Sequence, residues 1–360
     1  MIPRTKGQVH IIGSGLLGTS IGLALKKLGV DVSLEDSSSA TAKLAIDFGA
    51  GRALNESDSV ELVVVCVPPD AASTKVIEAL QRFPQAAVTD VASVKSGILN
   101  EVRQNAEESF RYVGSHPMAG REKGGALNGR PDLFVGRPWV IVPDEASESE
   151  VIKRIEALVL DLGATPVQMS AAEHDSAVAL VSHTPQLLAS LLAARLVDAK
   201  DTALGLAGAG LRDTTRIAAS DPTLWLQIVS ANSEQLIPIL KEFELDLEKL
   251  IAALSSTSSA GSLSVIAGAL SEGNKGVSRI PGKHGGSSTE YSRLIVMIDD
   301  KPGELARLLT DIGDAGINLE DLSLDHATGA LIGLVELAVL PETQSRLLEL
   351  LESKNWKLAG

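Results

Sequence analysis

The chain has one cysteine, few aromatic residues and fewer basic than acidic side chains. A single cysteine excludes an internal disulfide and a thiolate metal cluster. Because Cys66 lies in the apolar run 62–67, we expect it to be a small core side chain rather than a nucleophile. Aromatic residues make up 3% of the chain, so its cores should be built from Ala, Val, Leu and Ile. The net charge of -14 argues against nucleic acid and anionic membrane surfaces as partners, since both are themselves anionic.

Two further absences concern location and metals. No apolar stretch near the N-terminus is long enough for a signal peptide, and no later run approaches the length of a membrane span, so we expect a cytoplasmic protein. The six histidines include no pair at i and i+4 with a nearby acidic ligand, which predicts that there is no zinc site.

Short β-branched runs alternate with stretches long enough for a helix over the first half of the chain. This alternation predicts an α/β fold with a Rossmann-type, mostly parallel sheet covered on both faces. With 360 residues the chain suits two or three domains, and the first should span residues 1–170. The predicted strands are Val9–Ile12, Val30–Leu34, Leu62–Val67, Ala87–Thr89, Tyr112–Gly114, Trp139–Val142 and Thr165–Met169.

The rest of the chain divides into three segments by composition. Residues 171–270 are rich in Ala and Leu, which predicts an all-helical domain whose apolar helices are buried, either in a homodimer or in a tightly packed monomer. Residues 271–291 are rich in Gly, Ser and Pro, which predicts a linker or long loop. Residues 292–360 predict a small βαββαβ domain, with a strand at Leu294–Ile298 and a final helix from Pro341.

A glycine-rich turn follows the first predicted strand directly. Gly13, Gly15 and Gly18 have the spacing G-x-G-x-x-G, which permits a tight turn, close approach of the backbone to a pyrophosphate and close helix packing. An acidic residue at the end of the second strand would accept the ribose hydroxyls, so NAD is favoured, although the serines at 37–39 leave NADP open. The expected cofactor-binding residues are Gly13, Ser14, Gly15, Leu16, Leu17 and Gly18, with Asp36 or alternatively Glu35 at the ribose, and Val67 and Pro68, which are alternatively only a rigid loop.

His116 lies at the end of the fifth predicted strand, just after Gly114. Strand ends are where open α/β sheets place their ligands. An imidazole there could accept a proton from a substrate hydroxyl as hydride leaves the same carbon. A purely structural role is equally open. His174 and His183 are nine residues apart in a helical stretch. On an α-helix this spacing puts them on opposite faces, so we expect that they do not act as a pair.

Several stretches that together span nearly the whole chain carry a specific pattern. They are Gly13–Gly18, Thr89–Lys95, Gly114–Glu122 with Gly124 and Gly125, Ser182–Pro185, and Asp213–Ala218 with Trp225. In these stretches the chain resembles the prephenate/arogenate dehydrogenase family of tyrosine biosynthesis. The resemblance implies an NAD-dependent oxidoreductase that carries out the oxidative decarboxylation of prephenate to 4-hydroxyphenylpyruvate. The alternatives are an arogenate dehydrogenase, a β-hydroxyacid or imine reductase, and a non-enzymatic amino-acid sensor.

The resemblance also implies roles for individual residues. His116 accepts the hydroxyl proton, Ser93 hydrogen-bonds at the same end of the ring, and Arg216 holds a carboxylate, which suits a guanidinium. The neutral side chain of Gln186 favours the keto group of prephenate over the ammonium of arogenate. The other implied residues are Asp213, which would pair with Arg216 one helical turn away, Trp225 as a flat wall or a core residue, Glu122, which helps close the pocket, and His183, which faces the active site.

Two stretches of the C-terminal segment, Asp300–Leu305 and Gly316–Leu319, resemble the start of an ACT domain, the small module that binds amino acids. The resemblance implies that these domains pair, which would add a contact to the homodimer. It also implies an aromatic amino-acid effector, L-tyrosine, held by backbone amides at a strand-to-helix turn. A module that only dimerises is the alternative. The expected effector-binding residues are Asp300, Pro302, Gly303, Ile317 and Asn318.

Overall fold

The computed structural model describes residues 2–120, 124–281, 291–326 and 332–359. The chain forms two compact units. The first contains Met1–Ala194 and Thr215–Lys241, and the second contains Arg195–Thr214 and Glu242–Gly360.

The first unit is built on a parallel four-stranded sheet with the strand order β2-β1-β3-β4. Alternate residues of β3 belong to separate apolar clusters, Leu62 and Val64 to one, Val63 and Val65 to the other. The sheet is therefore covered on both faces, as the alternating sequence predicted. The strands are β1 Gln8–Ile12, β2 Val32–Glu35, β3 Val60–Val65 and β4 Ala87–Asp90, and the helices are α1 Leu16–Lys27, α2 Ser39–Asp47, α3 Pro69–Arg82 and α4 Ser96–Asn105.

A second sheet of three strands follows in the same unit. It comprises β5 Gly114–Pro117, β6 Pro138–Val142 and β7 Thr165–Gln168, with α5 Ser149–Asp161 between the last two. β5 is antiparallel to β6, whereas β6 and β7 are parallel. The predicted strand Tyr112–Gly114 is wrong in its bounds, because Tyr112 makes only an isolated bridge to Val88 and the strand begins at Gly114. His116 consequently lies within a strand.

A long helical run carries the second predicted group of site residues. α6 (Ala171–Val178), a π-helical turn (Ala179–His183) and α7 (Thr184–Ala194) are continuous. α6 begins at a capping box, in which the Ser170 hydroxyl accepts a hydrogen bond from the Glu173 backbone nitrogen and the Glu173 carboxylate accepts one from the Ser170 backbone nitrogen. By length and composition Ala171–Ala194 is apolar enough to cross a membrane, with a mean hydropathy of 1.4. The expectation that no later run approaches a membrane span is therefore wrong on that criterion, although a core helix of a soluble protein meets the same test.

The last helix of this region extends beyond residue 270, where the sequence predicted that the helical domain ends. The predicted linker at 271–291 is wrong over its first part, because α12 continues through Ser278. Gly273 and Gly276 each cost a helix only about 1 kcal/mol relative to alanine, which weakens the helix without ending it. The remaining helices of this region are α8 Asp201–Leu204, α9 Ala209–Thr215, α10 Pro222–Ala231, α11 Ser233–Ser255 and α12 Ser262–Ser278.

The C-terminal segment forms an antiparallel sheet in the order β11-β8-β10-β9. The observed element order confirms the predicted βαββαβ unit, which is the ferredoxin-like arrangement. Its core is formed by Val296, Leu308, Val335, Leu337 and Leu347 with their neighbours. The elements are β8 Ser292–Asp299, α13 Glu304–Asp314, β9 Asp321–His326, β10 Ile332–Val339, α14 Gln344–Ser353 and β11 Lys357–Leu358.

Candidate active site

The glycine turn between β1 and α1 has the geometry of a phosphate-binding loop. Gly13 has a φ of +98°, and a Cβ on it would lie 2.4 Å from the Cys66 carbonyl oxygen. A Cβ on Gly18 would lie 2.0 Å from the carbonyl oxygen of Gly13, whereas one on Gly15 would meet nothing within 4 Å. Gly15 is the N-cap of α1, and no side chain caps that helix. The first helical residues, Leu16 and Leu17, therefore follow an uncapped N-terminus, the end of a helix that favours anions.

Of the two acidic candidates at the end of β2, Asp36 is the one whose side chain contacts the glycine turn, whereas Glu35 accepts from the Gly13 backbone nitrogen through its backbone oxygen. Its Oδ2 accepts hydrogen bonds from the backbone nitrogen of Ser14 at 2.8 Å and from the Ser14 hydroxyl at 3.2 Å. Its Oδ1 accepts one from the backbone nitrogen of Ser38 at 2.9 Å.

Glu35 instead faces Arg82, which donates to both of its oxygens at 2.8 and 2.9 Å. The His10 ring and the Arg82 guanidinium lower the pKa of Glu35 to about 2. A cavity of about 690 Å³ lies beside these two carboxylates rather than at His116, and Lys43 and Asn55 also line it.

Val67 lies next to the glycine turn. A Cβ on Gly13 would approach the side chain of Val67 to 3.1 Å, so the segment that follows β3 packs directly against the first glycine. Pro68 is the N-cap of α3. A role of either residue in cofactor binding stays a prediction.

His116 is the first member of a hydrogen-bonded chain that continues through His174 to Asp175. Its Nδ1 lies 2.9 Å from Nε2 of His174, and Nδ1 of His174 lies 2.8 Å from Oδ1 of Asp175. His174 is completely buried, whereas His116 is half-buried. Burial, followed by the neighbouring His174 and Lys95, lowers the pKa of His116 well below 6.5. At neutral pH the His116 ring is therefore uncharged, as a proton acceptor must be.

Asp175 also anchors the loop that carries Ser93. The backbone nitrogens of Lys95 and Ser96 each donate to its carboxylate at 2.8 Å. α4 has no side-chain cap of its own, so Asp175 supplies that cap from α6. Burial raises the pKa of Asp175, but the hydrogen bonds from His174 and Ser96 outweigh it and leave the pKa lowered.

A buried ion pair holds the other end of the same loop. Lys95 pairs with Asp90 at the end of β4, and both side chains are almost completely inaccessible to solvent. The Tyr112 hydroxyl donates to Asp90 at 2.7 Å, and the backbone nitrogen of Ala92 donates at 2.9 Å. Burial lowers the pKa of Lys95 although Asp90 opposes the shift. Ser93, half-buried, thus lies in a segment fixed on one side by Asp90 and on the other by Asp175.

His183 belongs to the same network. Its Nδ1 lies 3.1 Å from the side-chain nitrogen of Asn232, which also donates to the backbone oxygen of Asp175 at 2.8 Å. His174 and His183 both connect to Asp175, His174 directly and His183 through Asn232. The π-turn at Ala179–His183 lies between them and departs from the α-helical geometry behind the expected opposite faces, which stay a prediction. Burial lowers the pKa of His183 to about 4.

Trp225 and Gln186 occupy neighbouring positions in the first unit. The Trp225 ring meets the His183 ring edge to face, with 6.0 Å between their centroids. Gln186 is 6% exposed and donates from Nε2 to the Ser220 hydroxyl at 2.7 Å. α7, which carries Gln186, packs against the 3-10 turn that begins at Arg216. Arg216 is exposed on that turn.

Other predicted site residues lie elsewhere or outside the described ranges. Asp213 is on α9 in the second unit, and α9 ends at Thr215, so one helix does not hold both it and Arg216. The expected ion pair between them stays a prediction. Glu122 lies outside the described residues. Within the ranges that the structure describes, no three His, Cys, Asp or Glu side chains are arranged to hold a metal ion.

The predicted effector residues cluster around the two ends of α13. Asp300 and Pro302 lie in the turn after β8, and Gly303, with a φ of +92°, is the N-cap of the helix. Ile317 is buried beyond the C-terminal end. The side-chain amide of Asn318 donates to Glu320 at 2.7 Å.

Three residues of the network, His174, Asp175 and Asn232, were missed by the sequence analysis. His174 received no role, although its position beside Asp175 directly after a helix-capping serine was a usable signal. Asn232 had no sequence signal, because its partners lie 57 and 49 residues earlier.

Comparisons with known proteins agree on one family. The family model described as "Prephenate dehydrogenase, nucleotide-binding domain" matches residues 21–168, and "Prephenate dehydrogenase, dimerization domain" matches residues 170–264. Probable prephenate dehydrogenase NovF of Streptomyces niveus is 35% identical over 96% of this chain and 98% of its own length. Cyclohexadienyl dehydrogenase of Zymomonas mobilis is 32% identical over 69% of this chain and 89% of its own. The crystal structure of Synechocystis arogenate dehydrogenase superimposes with a TM-score of 0.61 at 25% identity, covering 74% of this chain and 99% of that one.

Proposed function

Because this chain belongs to the prephenate dehydrogenase family, we propose that it converts prephenate to 4-hydroxyphenylpyruvate and carbon dioxide with NAD⁺ as oxidant. The observation that carries the proposal is the buried chain His116–His174–Asp175, which leaves the second ring nitrogen of His116 for a substrate hydroxyl. The names of the relatives support the substrate class, since one names prephenate and another a cyclohexadienyl compound.

The chain's own residues fit a dinucleotide. The uncapped N-terminus of α1 and the open space at Gly15 would receive the pyrophosphate, and Asp36 would accept the hydroxyls of the adenosine ribose. A carboxylate at that position repels a 2′-phosphate, which favours NAD over NADP. When bound, NAD⁺ supplies the hydride acceptor.

The protein residues act on the oxygen and carboxylate groups of the substrate. His116 accepts the ring hydroxyl proton through Nε2 while hydride leaves the same carbon, and the phenol oxygen recovers that proton after carbon dioxide departs. Ser93 hydrogen-bonds to the same hydroxyl. Arg216 binds a substrate carboxylate, because its planar guanidinium meets both oxygens at once. The loss of carbon dioxide creates an aromatic ring, which makes the reaction effectively irreversible.

Substrate preference rests on Gln186. Prephenate carries a keto group where arogenate carries an ammonium, and an ammonium gains from an anionic neighbour. Gln186 is buried, neutral and held by Ser220, so it provides no such charge. Prephenate is therefore the preferred substrate.

The proposed function is tested by following the absorbance of reduced nicotinamide with prephenate and arogenate, each against NAD⁺ and NADP⁺. The expected result is the highest kcat/KM with prephenate and NAD⁺. His116→Ala should lower kcat by about 100-fold or more, the usual contribution of general base catalysis. An enzyme that acts on neither substrate, or a His116→Ala variant with full activity, would contradict the proposal. The latter result would favour a β-hydroxyacid or imine reductase.

Assembly and regulation extend the same proposal. The match of residues 170–264 to a dimerization domain supports a homodimer. A cytoplasmic location stays a prediction.

The βαββαβ domain would act as an ACT module that binds L-tyrosine at the two ends of α13, near Gly303 and Asn318. Asn318→Ala should then weaken inhibition by L-tyrosine while leaving kcat unchanged. Equal inhibition of the variant and the unmodified enzyme would argue against that site.

A further inference from the structure

The hydrogen bonds around Asp175 restrict where its neighbours carry their protons. An ionised carboxylate accepts hydrogen bonds and cannot donate them. Asp175 already accepts from two backbone nitrogens, at Lys95 and Ser96, and its third close partner is Nδ1 of His174 at 2.8 Å. Nδ1 of His174 must therefore carry the hydrogen of this contact.

The proton position on His174 also determines the proton position on His116. A neutral imidazole with its proton on Nδ1 has a lone pair on Nε2. Nε2 of His174 lies 2.9 Å from Nδ1 of His116, so it accepts a hydrogen bond there and His116 carries its own proton on Nδ1. The other nitrogen of His116, Nε2, is left without a proton.

We propose that His174 and Asp175 are positioning residues that hold His116 in the tautomer whose Nε2 accepts the substrate hydroxyl proton. The inference rests on the proposed function, because that function makes Nε2 of His116 the accepting atom. Without the hydrogen bonds that link His116 to His174 and Asp175, His116 could carry its proton on Nε2. It would then donate to the substrate hydroxyl instead of accepting from it.

The surroundings of His116 are consistent with this assignment. The charged and titratable groups that act on it are His174, Lys95, His183 and Asp175, which come from the loop before α4 and from α6 with its following turn. Asn232 donates to Nδ1 of His183 and to the backbone oxygen of Asp175 from one amide nitrogen. Since a carbonyl oxygen can only accept, the amide orientation is fixed, and His183 carries its proton on Nε2.

Nitrogen-15 NMR of the histidine rings tests the tautomer directly, without substrate. The full-length protein is labelled with ¹⁵N-histidine, and two-bond correlations at pH 8 show which nitrogen of each ring carries hydrogen. The signals are assigned by comparison with His116→Gln and His174→Gln. The expected result is a protonated Nδ1 and an unprotonated Nε2 in both His116 and His174. A proton on Nε2 of His116 in the unmodified protein would overturn the inference.

Paired substitutions at position 174 test the consequence for turnover. His174→Phe removes the acceptor, whereas His174→Gln retains an amide oxygen that accepts from Nδ1 of His116. We expect His174→Phe to lower kcat by about 100-fold, the upper range for groups that orient a functional histidine, with the KM for prephenate little changed. His174→Gln should recover about tenfold of that loss. Equal kcat values for the two variants would overturn the inference, as would full activity of His174→Phe.

Ser170→Ala is the matched control for damage to α6. Ser170 is exposed, and its side chain caps the helix that carries His174 by bonding to Glu173. Its backbone oxygen accepts from the His174 backbone nitrogen at 2.9 Å, a bond that alanine retains. Its substitution should lower Tm and leave kcat unchanged. If Ser170→Ala lowers kcat as much as His174→Phe does, helix stability rather than proton placement explains the loss, and the inference fails. An unmodified enzyme inactive with prephenate and arogenate would end the proposed function, whereas the tautomer spectrum would still decide the state of His116.

Discussion

Alanine substitutions at two glycines of the same turn should separate folding from cofactor binding. In Gly18→Ala the new Cβ would lie 2.0 Å from the carbonyl oxygen of Gly13, and ordinary contact begins at 3.4 Å. Gly18 is buried and the oxygen that its Cβ would meet belongs to the backbone, so the strand and helix must move apart to relieve the overlap. Inserting a methyl group into a close-packed site typically costs about 1–3 kcal/mol. In Gly15→Ala the Cβ meets nothing within 4 Å, and the φ of -70° suits any residue.

The two variants therefore differ in stability but share a binding defect. Gly18→Ala should lose about 1–3 kcal/mol of unfolding free energy in urea, whereas Gly15→Ala should lose almost none. Both should bind NAD⁺ at least about tenfold more weakly, which corresponds to about 1.4 kcal/mol, because a methyl group either displaces the helix N-terminus or occupies the space of the pyrophosphate. Urea unfolding gives the first quantity, and calorimetric titration with NAD⁺ gives the second.

Gly97→Ala is the matched control, because Gly97 is exposed on α4 and its Cβ would also meet nothing within 4 Å. It should leave NAD⁺ binding close to that of the unmodified protein, and stability should stay the same or rise by up to about 1 kcal/mol, because alanine favours a helix over glycine. The reasoning fails if Gly15→Ala binds NAD⁺ normally, since the open side of that glycine would then not face the cofactor. It also fails if Gly18→Ala is as stable as Gly97→Ala.

Four further predictions follow from the described contacts. The pKa of His183 falls from 6.5 to about 4 on folding, so the unfolded chain binds more protons in that range; Tm should fall as the pH is lowered from 6.5 towards 4, and less steeply in His183→Gln. Lys95→Met leaves Asp90 buried without its cation and should cost about 3–5 kcal/mol of unfolding free energy in urea. Arg216→Lys should raise the KM for prephenate about tenfold or more without changing NAD⁺ affinity by calorimetry, because an ammonium cannot meet two carboxylate oxygens in one plane. Gln186→Glu should raise the ratio of kcat/KM for arogenate to that for prephenate, and an unchanged ratio would separate this position from side-chain recognition.

Local patterns were sufficient to predict the frame of the nucleotide-binding sheet and the C-terminal unit. The spacing of Gly13, Gly15 and Gly18 is a constraint within six residues, and the β-branched runs around them alternate with helices at the expected period. The predicted linker at 271–291 was partly wrong because glycine content does not by itself decide backbone geometry. Gly273 and Gly276 suggested a loop, but glycine weakens an exposed helix without forbidding it, and α12 continues to Ser278.

The proton-acceptor site was only partly predictable, because its decisive contacts join distant parts of the chain. His116 could be singled out from its place at the edge of the sheet, but its partner His174 is 58 residues away, and Asp175 caps a helix that begins 79 residues before it. The angle between His174 and His183 depends on a single π-turn, which changes the helical phase and which periodicity cannot reveal. A buried carboxylate must satisfy its oxygens with donors from whatever elements surround it. For Asp175 those donors are the Ser93 loop and the histidine chain, so one side chain places the two groups proposed to act on the same substrate hydroxyl.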